Sequence, residues 1–113
     1  MAHVDIVYIR HILDALERIA EYLQGIEETE FYRSNLLQDG VIRQLEIIGE
    51  ATKQISQDTR TENEHIPWKD IAGMRDKLIH EYFGVDVEQV WLTAKQDAPV
   101  LRFEIAEILE TLF

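Results

Sequence analysis

Apolar residues recur at three- and four-residue steps along most of the chain, and strand-like alternation is nearly absent, so helices are expected throughout. Ile9, Ile12, Leu13, Leu16, Ile19, Leu23 and Ile26 form one stripe, with Arg10, Asp14, Glu17, Arg18 and Glu21 between them. This predicts a first helix over roughly residues 3 to 24, ending near Gly25. The acidic and aromatic stretch Glu27 to Asn35 is expected to form at most a short helical turn. A second helix is predicted from about Leu36 to Ser56, with Leu37, Val41, Leu45, Ile48, Thr52 and Ile55 on its buried face. Gly40 and Gly49 lie within it. Each costs roughly 1 kcal/mol relative to alanine and permits a close helix approach.

The stretch Gln57 to His65 has no apolar residue and reads as a solvated loop. Pro67 and Trp68 open a third helix that carries Ile71, Met74, Leu78 and Ile79, with Gly84 as its stop. Asp86 caps the next helix, with Gln89 at the capping-box position. Its apolar stripe runs from Val87 to Leu112, and Pro99 should kink it or split it into two abutting pieces. The expected fold is all-α, an antiparallel bundle of four to five helices. Residues 1–113 are expected to form a single domain, since 113 residues suffice for one core and not two.

Composition narrows the function. With 46% hydrophobic and 29% charged residues, the chain falls in the soluble globular class. It has no cysteine, which removes disulfides and thiolate metal sites and suits a reducing cytoplasm. No apolar run is long enough for a membrane span, and the N-terminal stretch lacks a signal peptide's apolar region, so a cytoplasmic location is expected. Twenty-two acidic residues against eleven basic give a net charge of −11. Phosphate-binding proteins usually have the opposite balance, so the charge counts directly against any nucleic-acid reading. The exception is local: from His65 to His80, Lys69, Arg75 and Lys77 outnumber Asp70 and Asp76.

That same stretch holds the residue types best suited to chemistry: Arg75, His80 and Tyr82, set in Gly73-Met74-Arg75-Asp76-Lys77-Leu78-Ile79-His80-Glu81-Tyr82-Phe83. An arginine fork holds a phosphate and stays charged at any working pH. A histidine moves protons near neutrality. Metal-free RNA cleavage needs those two functions, because the substrate supplies its own 2′-hydroxyl as nucleophile. On an ideal helix Arg75 and His80 lie about 140° apart and Arg75 and Tyr82 nearly eclipse. Two copies across a twofold axis would bring two arginines and two histidines to one cleft. From spacing alone the plainer reading is favoured, a capped helix end with His80 on the last carbonyls and Tyr82 at the core edge, because such a trio is common in helical proteins.

The run Ile66-Pro67-Trp68-Lys69-Asp70-Ile71-Ala72-Gly73-Met74-Arg75-Asp76-Lys77-Leu78-Ile79-His80-Glu81-Tyr82-Phe83 resembles the signature region of HepT-type HEPN proteins, whose motif is Arg-x4-His-x-Tyr. Arg43-Gln44-Leu45-Glu46-Ile47-Ile48-Gly49-Glu50-Ala51 resembles the second helix of that family. Val85-Asp86, Trp91 and Asp97-Ala98-Pro99 also fit, so the resemblance covers nearly the whole chain. It implies a HEPN domain and an endoribonuclease toxin of a toxin–antitoxin pair. That enzyme would be a metal-independent homodimer without cofactor, with Arg75 and His80 catalytic. It further implies an adjacent MntA-like nucleotidyltransferase antitoxin that adds AMP to the motif tyrosine, here Tyr82. Glu46 and Glu50 would then hold Arg75 or His80 in place, although an i,i+4 acidic pair is commonly a solvated face, and Lys77 is a further supporting candidate. The alternative is a non-catalytic helical module that binds the nucleotidyltransferase.

Other candidates are weaker. Glu62-Asn63-Glu64-His65 contains one Glu-x-x-His, in a polar stretch without a partner motif. His3 and His11 lack a third ligand and read as surface or helix-end residues, and Trp68 and Trp91 as core. No metal site is expected.

Overall fold

The first apolar stripe folds as α1 (His3–Tyr22), and Ile9, Ile12, Leu16, Ile19 and Leu23 are all buried. Burying each such side chain contributes about 1.5–3 kcal/mol, so the stripe fixes which face of α1 meets the core. The computed structural model describes residues 3–80 and 84–111, and the side chains of His3, Val4, Arg75, Ile79 and His80 lie outside the description. Past Tyr22 the chain turns through Gly25, whose φ of 73° lies in the left-handed region that suits glycine.

The acidic and aromatic stretch forms α2 (Glu28–Arg33), which buries Phe31 against Trp91 with ring centroids 5.2 Å apart. Ser34 then caps α3 (Asn35–Lys53) by accepting the Leu37 amide at 3.1 Å. α3 is the central element and packs on α1, α5, α6 and α7. At Gly49 α3 runs beside α5, and a Cβ there would make ordinary van der Waals contact, 3.4 Å from the Ile71 carbonyl oxygen.

The stretch expected as a solvated loop is instead partly helical: α4 spans Gln57–Glu62. Its polar sequence gives no apolar period, and buried polar contacts hold it. Ser56 caps it, and Asp5, 1% exposed near the start of α1, accepts from the Ser56 amide at 3.0 Å and from the Ser56 and Thr59 hydroxyls at 2.6 Å each. Arg60 folds back to donate to the Thr52 carbonyl at 2.7 Å and the Ile55 carbonyl at 3.2 Å, closing the end of α3.

The third predicted helix is in fact two short ones, α5 (Trp68–Ala72) and α6 (Met74–Leu78), separated at Gly73. A two-stranded antiparallel hairpin follows, β1 (Ile79–His80) and β2 (Gly84–Val85), pairing Ile79 with Val85 and His80 with Gly84. Asp86 caps α7 (Val87–Leu92) as expected, accepting the Gln89 amide at 3.1 Å. A π-helical turn over Thr93–Asp97 joins α7 to α8 (Ala98–Thr111). Pro99 has no N–H, and its ring would crowd the carbonyl four residues back. The wider turn just before it, in which the Ala98 amide bonds to the Thr93 carbonyl, accommodates this. The result is an all-α helical bundle, with α1, α3 and α8 around the core and the hairpin appended beside α6.

Candidate active site

The segment that carries the candidate chemistry is anchored from its N-terminal side. The Trp68 indole N–H donates to the Asn63 carbonyl at 3.0 Å, and Trp68 and Ile71 are buried, so α5 is pinned to the bundle before α6 begins. Leu78 is buried at the far end of α6. Arg75 therefore starts from a short helix held at both ends.

His80 does not lie on that helix. In a longer helix the Leu78 carbonyl would accept the amide four residues on; here it accepts the Asp86 amide at 3.0 Å. Gly84, expected to stop a helix, has a φ of 81° and stands in β2 opposite His80. Both readings of this glycine need the left-handed conformation, which is why sequence could not separate them. The 140° separation expected for Arg75 and His80 on one continuous helix accordingly does not describe this segment. Arg75 belongs to α6 and His80 to β1, with the helix ending at Leu78 between them. The side chains of both residues, and the whole of Tyr82, lie outside the described residues. The expected eclipsing of Tyr82 with Arg75 therefore falls outside the described residues.

The supporting candidates fall in two different places. Lys77 is exposed and lines a cleft of 390 Å³ between α5–α6 and the α7–α8 arm, floored by Leu45, Ile48 and Leu101. Asp70, Asp97 and Glu104 also line it, and Glu104 lies 3.5 Å from His65 Nε2. Glu46 and Glu50 instead line a groove between α1 and α3, together with Tyr8, His11 and Arg43. Glu50 pairs with Lys53 at 3.2 Å across one helical turn. Lys77 and the two glutamates thus do not share a cleft.

Electrostatic perturbation sits away from the motif. Burial opposes ionisation of Asp5, but the hydrogen bonds from Ser56 and Thr59 outweigh it and hold the carboxyl below its usual range. The Tyr32 hydroxyl donates to Glu28 Oε1 at 2.7 Å, and that bond, with desolvation and the nearby acidic charges, pushes the phenol up to about 12. Among the described residues no group of three or more histidines and carboxylates is placed to hold a metal ion, and no helix is long and apolar enough to cross a membrane.

His11, expected as a surface or helix-end residue, has a neighbour on α1 that its own reading does not include, Tyr8. The structure sets the two rings edge to face, with centroids 6.1 Å apart, at the mouth of the α1–α3 groove. The i,i+3 spacing of Tyr8 and His11 was the available signal.

Comparison with known proteins bears on the same segments. A protein of Thermococcus cleftensis named "Probable ribonuclease HepT" is 47% identical over 95 residues, covering 84% of this chain and 86% of the relative. A "Putative RNase" of Caldanaerobacter subterraneus subsp. tengcongensis is 44% identical over 103 residues, 91% and 92% of the two chains. A "Gamma-glutamylcyclotransferase and putative RNase" of Methanocaldococcus jannaschii is 48% identical over 106 residues; the match covers 94% of this chain but spans only 48% of that longer protein. No solved structure gives a significant match. The profile described as "Ribonuclease HepT-like" matches residues 12–108, a span that takes in Arg75, His80 and Tyr82, and the chain belongs to this HepT-like ribonuclease family.

Proposed function

We propose that this chain is a cytoplasmic endoribonuclease toxin, with Arg75 and His80 as its catalytic pair and a nucleotidyltransferase of the MntA type as its antitoxin. The carrying observation is the family match over residues 12–108, with Arg75, His80 and Tyr82 present at the motif spacing inside it. In this reading His80 takes the proton from a ribose 2′-hydroxyl, and the freed oxygen attacks the adjacent phosphorus. The new P–O2′ bond forms as the P–O5′ bond breaks. A protonated histidine returns a proton to the departing 5′ oxygen, leaving a 2′,3′-cyclic phosphate and a 5′-hydroxyl. Arg75 neutralises the charge that builds on the phosphorane oxygens. The step needs no metal and no cofactor.

The proposed enzyme is a homodimer in which both protomers contribute the pair to a shared cleft, so one histidine can act as base and the other as acid. Control falls on Tyr82: an AMP group on its hydroxyl brings a phosphate that occupies Arg75 in place of substrate. Inducing the wild type alone should arrest growth, and His80→Ala should not. Growth unaffected by the wild type would remove the toxin reading.

A further inference from the structure

We propose that the groove between α1 and α3 is a nucleotide-binding subsite for single-stranded RNA, seating one base and one phosphate. The proposal rests on the ribonuclease reading for its substrate class and on the groove itself for its placement. Tyr8 and His11 on α1 face Arg43, Glu46, Ile47 and Glu50 on α3 across an open space of 560 Å³. This is room for one nucleotide.

Each part of a nucleotide has a counterpart here. The edge-to-face rings of Tyr8 and His11 offer a π surface for stacking, the sequence-tolerant contact that single-stranded RNA sites use. Ile47, half-buried, gives the base an apolar floor. Arg43 is exposed and has no ion-pair or hydrogen-bond partner among the described residues, so its guanidinium is available to a phosphate. Arg60, which lines a different cleft with Trp68, differs on this point because its guanidinium is committed to the Thr52 and Ile55 carbonyls.

The carboxylates set the choice of base. Glu50 is partly neutralised by Lys53. Glu46 is half-buried and already engaged with a neighbour, yet a carboxylate can accept more than one donor. It repels a phosphate but suits a base edge carrying two adjacent N–H donors, which among the four RNA bases is the N1–H and N2–H2 edge of guanine. Arg43 and Glu46, one helical turn apart on α3, thus divide the work between phosphate and base. For a chain of charge −11, recognition of this local kind replaces a broad basic surface.

The test is fluorescence anisotropy with short 2′-O-methyl oligonucleotides, which bind but cannot be cleaved, run beside cleavage of the matching RNA. Guanosine-containing oligomers should bind more tightly than adenosine-only ones. His11→Ala and Arg43→Ala should each weaken binding about tenfold. Arg43→Lys should recover part of that loss. In cleavage, KM should rise in both alanine variants with kcat little changed, the mark of lost uniform binding. Glu46→Gln should erase the preference for guanosine. Unchanged binding in His11→Ala and Arg43→Ala, or no measurable binding by the wild type, would overturn the subsite even if cleavage is intact. Binding that follows this pattern without any cleavage would retain the subsite and defeat the ribonuclease reading instead.

Discussion

The Leu78 carbonyl accepts the Asp86 amide at 3.0 Å, and this one bond ends α6 and closes the hairpin that carries His80. Asp86 holds two posts at once, since its side chain also caps α7 through the Gln89 amide at 3.1 Å. Asp86→Ala keeps the backbone bond but removes the cap, at a cost of about 1 kcal/mol. The melting temperature should fall by about 4 °C, and Asp86→Asn should restore most of it. Calorimetry on the three proteins checks this.

Asp5 ties the start of α1 to α4 across more than fifty residues, through one backbone and two side-chain donors. Asp5→Ala leaves those donors without their charged acceptor and should cost about 3 kcal/mol. The pH dependence has a definite sign. The folded-state pKa is depressed, so the stabilisation is complete above the unfolded carboxylate value of about 3.9 and is lost as pH falls through the folded value. Urea midpoints from neutral pH down to acid should therefore fall less steeply in Asp5→Ala than in the wild type. Parallel curves would show that Asp5 is not a source of the acid sensitivity.

These two residues also mark what sequence could and could not reveal. The α1 stripe and the Asp86 cap depend on neighbours within a few positions, and both were legible. The helix over Gln57–Glu62 was not, because its support comes from Asp5, far away in sequence, and it has no apolar period of its own. The end of α6 was missed for a similar reason. Leu78 and Ile79 continue a helical stripe, and only pairing with Val85 and Asp86 turns the chain into a strand. At the site, the residue types Arg75, His80 and Tyr82 were readable from the motif. The α1–α3 groove was not, since it requires two helices distant in sequence to meet.

Because His80 leaves the helix, a twofold pairing of helices is not what calls for a dimer; the reaction's need for both an acid and a base is, together with the family resemblance. Multi-angle light scattering at micromolar concentration should give twice the 13.3 kDa chain mass. A strict monomer that still cleaves RNA would confine the site to one chain.

Covalent control at Tyr82 is open to direct weighing. Co-expression with a nucleotidyltransferase encoded next to this chain should yield protein heavier by whole AMP units, and Tyr82→Phe should remain unmodified. A toxin that is neutralised yet carries no adduct would mean that the partner acts by covering the site.

The central claim is that Arg75 and His80 cleave RNA without a metal, and the most direct measurement is cleavage of a defined single-stranded RNA by the purified protein in excess EDTA. The wild type should cut at an undiminished rate and leave 2′,3′-cyclic phosphate ends, while His80→Ala and Arg75→Ala should each be slower by about 10²–10⁴-fold. Cleavage abolished by EDTA, or unchanged in His80→Ala, would contradict the account.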